Sequence, residues 1–180
     1  SRVDDWACNQ TTKNFLMYNL FVFDFIALQE VGSFDNVQYL INKMNLSDIY
    51  TPFSVKDATE AILVKKTYGF KYVDIVPELC LKSNQSCGFV SIQCTKNGRN
   101  FYINSAHLSP ENVIEEYNQL VSTIEKKNNN WREEQWVLLG DYNVDYEREN
   151  MLSSFQKDEL EGDATVPSTT PHSNKHYDVI

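Results

Sequence analysis

Glu30 follows the apolar run DFIAL, His107 closes FYINSAH, Asp141 and Asn143 follow WVLLG, and Asp178 sits inside HYDVI. A carboxylate just beyond a buried strand is held by the sheet while its oxygens reach a cleft. Side chains placed in this way suit a hard cation such as Mg²⁺, which takes oxygen ligands and keeps several waters. An imidazole at a neighbouring strand end could pass a proton to or from a reacting oxygen. Taken singly, each of these residues is an ordinary strand-end or turn residue, because Asp and Asn also start turns through their own side-chain hydrogen bonds. His172 and His176 read as solvated residues of a polar loop.

These groups need rigid elements to hold them. FLMYNL (Phe15 to Leu20), DFIALQ (Asp24 to Gln29), AILVKK, GFVSIQC, FYINSAH and WVLLG read as buried strands between polar or glycine-containing turns. Val37, Leu40, Ile41 and Met44 recur at helical spacing, as do Val113, Tyr117, Leu120, Val121 and Ile124. Ser109-Pro110 is expected to open the second helix, with Ser as cap and Pro in the first turn. Many strands flanked by a few helices predict a layered α/β sandwich. Neither an internal repeat nor a Pro/Gly/Ser linker divides the chain, so residues 1–180 read as a single domain.

Composition narrows the classes further. With 180 residues, 42% of them hydrophobic, the chain can bury a substantial core. No apolar run approaches the roughly 20 residues of a membrane helix. A net charge of −9 argues against holding nucleic acid by surplus basic charge. It does not exclude a nuclease, since a bound divalent cation reshapes the field at a carboxylate-lined site. Cys8, Cys80, Cys87 and Cys94 lack the close pairs of a zinc site. Cys80 and Cys87 flank a short polar loop, so a disulfide in an oxidising compartment and free thiols both stand open. Sequons at Asn9, Asn45 and Asn84 would suit secretion, with an intracellular location as the alternative. SRVDDWACNQ shows no secretory leader pattern.

The strings IALQEVGS around Glu30, NSAHLSP around His107, LLGDYNVD around Asp141 and HYDVI around Asp178 resemble, in this order, the signatures of the endonuclease/exonuclease/phosphatase superfamily. FLMYNL resembles that family's first motif, a strand ending in aromatic-Asn, which makes Asn19 a candidate. The resemblance runs from about Phe15 to Ile180, and deoxyribonuclease I and the nuclease subunit of cytolethal distending toxin are branches that it resembles. It implies a four-layered α-β-β-α sandwich and a metal-dependent phosphodiesterase, foremost a DNA endonuclease. The implied cofactor is Mg²⁺, with Mn²⁺ or Ca²⁺ as additional candidates. A partner subunit is implied if the chain is toxin-like.

Residue by residue, the resemblance implies that Glu30 and Asp141 ligate the metal with Asn19 beside them. Asn19, Asn143 and Thr165 would contact substrate, and Asp163 would lie near an accessory cation. Asp141 and Asn143 would position the attacking water, while His107 would donate to the phosphate or leaving oxygen. Glu60, in DATEAILV, aligns with the carboxylate that orients this histidine, its alternative being a surface charge beside a strand. Asp178 matches the aspartate that pairs with a second histidine in a Ser-Asp-His motif.

Three departures qualify the match. The Ser-Asp-His motif is absent, and the resemblance implies further strands after Ile180. Where the family fits a loop and a helix between Asn19 and Glu30, the chain passes from one apolar run to the next through Phe21 to Phe23, so either a segment is missing there or the Asn19 assignment gives way and the first strand is something else. Gln85, Ser86 and Cys87 stand where deoxyribonuclease I places a phosphate-contacting arginine. Two alternatives therefore accompany the DNA reading: the same site acting on sphingomyelin-like phospholipid or inositol phosphate, and an inactive relative used for binding.

Overall fold

Alternation of side chains across β-strands decides the architecture. The computed structural model describes residues 14, 17, 18, 23–55, 58–66, 69, 72–75, 88–127, 135–141, 143, 178 and 179, with the backbone alone at 72–75, 127, 178 and 179. One sheet runs in the order β1 (Phe25–Leu28), β3 (Ala61–Lys65), β2 (Tyr50–Phe53), all antiparallel. The other runs β4 (Tyr72–Ile75), β5 (Gly88–Lys96), β6 (Arg99–His107), β7 (Gln135–Asp141), β8 (Asp178–Val179). Here β6 and β7 are parallel and the remaining pairs antiparallel. Helix α1 (Phe34–Lys43) lies between β1 and β2 in sequence. Helix α2 (Val113–Lys127) makes the crossover that the parallel β6–β7 pair requires.

Both faces of each sheet are buried. In β3, Ala61 and Leu63 join Val37, Leu40 and Ile41 of α1 in one apolar cluster. The intervening Ile62 and Val64 turn the other way and meet Val90, Ile92 and Cys94 of β5. On the outer face of the second sheet, Phe89, Tyr102 and Ala106 pack against Tyr117, Leu120, Val121 and Ile124 of α2. Stacking α1, sheet, sheet and α2 gives the expected four-layered sandwich, and burying a side chain such as Leu40 contributes about 2 kcal/mol. Cys94 belongs to the central layer, where burial pushes its thiol up to about 12. It therefore stays protonated and inert.

Local chemistry sets the element ends. Ser33 caps α1 by accepting the Asn36 N–H at 3.4 Å. The helix closes with Asn45 at φ +55 and the Leu46 N–H donating to the Ile41 carbonyl at 2.9 Å. Asn97-Gly98, both with positive φ, turn β5 into β6 as a two-residue hairpin.

Three sequence expectations need correction. Within the run Phe15 to Leu20, expected as a buried strand, the described residues Met17 and Tyr18 are instead helical and 59% and 84% exposed. A short apolar run does not distinguish helix from strand by itself. Helix α2 begins at Val113 rather than Pro110, because residues 110–112 form a turn closed by the Asn112 N–H on the Ser109 carbonyl. Strands β2 and β4 were not anticipated; β2 carries Pro52, which an edge strand tolerates. Among the described residues, no helix is long and apolar enough to cross a membrane.

Candidate active site

One row of residues crosses the second sheet. Gly88 of β5 pairs with His107 of β6, His107 with Asp141 of β7, and Asp141 with Asp178 of β8. Neighbouring strands are about 4.8 Å apart, so the row brings together residues far apart in sequence. His107 shares the side of β6 that carries Phe101 and Ile103 into the inter-sheet core, and Asp141 shares that of Leu139. Both therefore lie toward the first sheet, at the end where β1 delivers Glu30 and the loop before β3 delivers Glu60. The loops carrying these two glutamates are joined by the Val31 N–H donating to the Thr59 carbonyl at 2.8 Å.

Glu60 is wholly buried. The Thr59 hydroxyl donates to its Oε1 at 2.6 Å, while Oε2 has no hydrogen-bond partner. The carboxylate occupies the space above Gly88, where an added Cβ would overlap it. Gly88 thus gives the carboxylate access to the strand beside His107. The surface-charge alternative for Glu60 is overturned by this burial.

Burial holds the Glu60 carboxyl above the ordinary glutamate range, opposed by the Thr59 hydrogen bond and by His107. A raised folded-state value means that the folded protein binds more protons between the ordinary value of about 4.3 and the raised one. Stability consequently falls as pH rises through that interval, and the loss is complete above it. In Glu60→Gln this fall should disappear, so the variant gains on the wild type from pH 4 to pH 7 in urea denaturation. Parallel pH profiles would count against the assignment.

The loop after β7 is held to the loop after β6. The Leu108 N–H donates to the Asp141 carbonyl at 3.0 Å, and Asn143 Nδ2 donates to the Leu108 carbonyl at 2.6 Å. Asp141 Oδ1 accepts the Asn143 N–H at 2.9 Å, which orients the carboxylate. Glu30 and Asn143 take the left-handed backbone, at φ +54 and +49. Such conformations in non-glycine residues cost about 1 kcal/mol or more and cluster at functional positions. Glu30 is exposed, so its carboxylate is open to solvent and to ligands.

Among the described residues, no three His, Cys, Asp or Glu side chains form a ready metal-ligand cluster. The exposed Glu30 carboxylate and the Asp141 carboxylate oriented by Asn143 are oxygen donors of the type a hard divalent cation takes. Asn19, Asp163, Thr165, His172, His176, Cys80, Cys87 and the Gln85–Cys87 segment lie outside the described residues, as does the side chain of Asp178. The sequence reading missed Gly88 and Gly140, whose signal is a glycine at the start or end of an otherwise apolar strand. A cavity of about 640 Å³ bordered by Phe25, Arg99, Phe101, Val137 and Leu139 opens toward the opposite end of β6 from His107.

No protein-family model matches the chain, and no curated protein matches it in sequence. Solved structures do resemble it. D. rerio TDP2 complexed with single strand DNA product superposes with a TM-score of 0.55 at 21% identity, over 84% of this chain and 59% of that one. The human Nocturnin catalytic domain with bound sulfate anion gives 0.62 at 16% identity, over 97% and 73%. An endonuclease/exonuclease/phosphatase family protein from Bacteroides thetaiotaomicron gives 0.51 at 16%, over 85% and 62%. The chain has the endonuclease/exonuclease/phosphatase, or deoxyribonuclease I-like, fold. It spans less than two thirds of the length of the TDP2 and Bacteroides chains.

Proposed function

We propose that this protein is a divalent-metal-dependent phosphodiester hydrolase whose foremost substrate is DNA. The observation that carries the reading is the register Gly88–His107–Asp141–Asp178, with the Glu60 carboxylate lying over Gly88. It supports an imidazole with a buried carboxylate on one side and a strand-end aspartate on the other. Similarity in fold to TDP2 complexed with single strand DNA product supports a nucleic-acid substrate, and the similar fold of SmcL, at the same TM-score of 0.55, supports the lipid alternative equally.

In this reading Glu30 and Asp141 would hold the ion, with Asn19 as a further ligand. When bound, the ion neutralises charge on the phosphate oxygens and favours ionisation of water. Asp141, held by the Asn143 N–H, accepts a proton from the attacking water. Because Asn143 commits its amide nitrogen to Leu108, its amide oxygen faces away from that carbonyl as an acceptor for the same water. The water oxygen forms the new bond to phosphorus, the bond to the leaving oxygen breaks, and His107 supplies the proton that oxygen takes up. Glu60 stabilises the charged imidazole. Asp178, next to Asp141 in the register, keeps the role that the resemblance implies, pairing with a second histidine, and Thr165 keeps a substrate contact.

Nicking of supercoiled plasmid with Mg²⁺ tests this, with sphingomyelin and phosphoinositide hydrolysis measured on the same preparation. DNA nicking that is lost with chelator and in Glu30→Ala is the expected result. Turnover of lipid alone would replace DNA as the substrate, and no turnover of any of the three would overturn the enzymatic reading.

A further inference from the structure

The site drawn above is divided between two sheets. Glu30 leaves the first, whereas His107 and Asp141 end strands of the second. The central layer between them is largely apolar, built from Ile62, Val64, Val90, Ile92 and Ile103. Apolar contact is non-directional and fixes the sliding of one sheet over another only weakly. A catalytic geometry accurate to about 0.5 Å needs directional bonds at the site itself.

Such bonds occur one residue before Glu30. Gln29 Nε2 donates to Ser105 Oγ at 2.9 Å, and Ser105 Oγ donates to the Leu28 carbonyl at 3.3 Å. Ser105 is fully buried, and strand alternation puts it on the same side of β6 as Phe101, Ile103 and His107. At this position an apolar residue would continue the pattern of the layer. The hydroxyl instead grips the chain on both sides of the Leu28–Gln29 peptide. It does so two residues from His107 along β6 and immediately before the left-handed Glu30.

We infer that Gln29 and Ser105 are positioning residues, a polar clamp between the sheets that sets where the Glu30 carboxylate stands relative to His107 and Asp141. The inference rests on the metal-dependent reading and adds residues that touch neither substrate nor ion. Without the Ser105 hydroxyl, the half-buried Gln29 amide loses its acceptor and the turn bearing Glu30 is freed from β6. Groups that orient a metal ligand typically change metal affinity or activity by about 10- to 100-fold when removed.

Mn²⁺ binding followed by electron paramagnetic resonance, beside thermal unfolding, tests the clamp on the full chain. Ser105→Ala and Gln29→Leu should each weaken Mn²⁺ binding about tenfold or more. The double variant should be no worse than the weaker single, because both changes break one link. Ser105→Thr, which keeps the hydroxyl, should bind more tightly than Ser105→Ala even if it unfolds at a lower temperature. Unchanged Mn²⁺ affinity in both single variants, or additive losses in the double, would overturn the clamp while leaving the hydrolase reading intact. Failure of the wild type to bind Mn²⁺ would overturn both.

Discussion

His107→Ala should lower kcat for phosphodiester hydrolysis by about 10²- to 10⁴-fold, the usual contribution of a positioned proton donor. The effect should fall on kcat rather than KM, because the imidazole is assigned to the leaving oxygen and not to ground-state binding. Mn²⁺ affinity should be nearly unchanged, since Glu30 and Asp141 remain. Glu60→Gln should give a smaller loss, because the ring keeps its place in β6 and loses only its charged neighbour. Combined with His107→Ala, Glu60→Gln should add almost nothing, as expected when one residue acts through another. Steady-state kinetics of the two single variants and the double measure this directly. A His107→Ala enzyme within threefold of wild type would remove histidine from the mechanism.

Gly140→Ala should destabilise the fold by about 3–5 kcal/mol, a large part of the 5–15 kcal/mol available to an ordinary domain. Two costs combine. Gly140 has φ +143, a conformation that L side chains rarely adopt. An added Cβ would also overlap the backbone of Ala106 on the neighbouring parallel strand. A backbone neighbour cannot rotate away as a side chain can, so β6 and β7 must separate just where they carry His107 and Asp141. Urea denaturation of the variant reads the loss. A change below about 1 kcal/mol would mean that the close approach of these strands is not a requirement of the fold.

Much of this architecture is legible in residue types. DFIAL, AILV, FYINSAH and WVLLG become β1, β3, β6 and β7 because β-branched and aromatic residues fill positions buried on both sides of a sheet. The helical spacing of Val37, Leu40 and Ile41, and of Tyr117, Leu120, Val121 and Ile124, likewise survives as the buried faces of α1 and α2. Other features depend on tertiary placement that local patterns do not encode. Tyr50 to Phe53 forms a strand although it contains Pro52, since an edge position spares the missing N–H. Phe15 to Leu20 has a strand-like composition, yet Met17 and Tyr18 are helical and exposed. For the candidate site, the motif strings around Glu30, His107, Asp141 and Asp178 singled out those residues through their resemblance to one family, whereas the row His107–Asp141–Asp178 is a property of the sheet register. The requirement for Gly88 beneath Glu60 and the clamp through Ser105 became visible only when two sheets were stacked, because both are contacts across that gap.

The claim on which the mechanism stands is that Glu30 and Asp141 share one cation. Anomalous diffraction from crystals soaked in Mn²⁺ measures this with least ambiguity. The expected map has one strong peak within about 2.2 Å of a carboxylate oxygen from each residue, and it vanishes in Glu30→Ala crystals. Manganese bound to neither carboxylate, or at separate sites on each, would contradict the shared-ion mechanism.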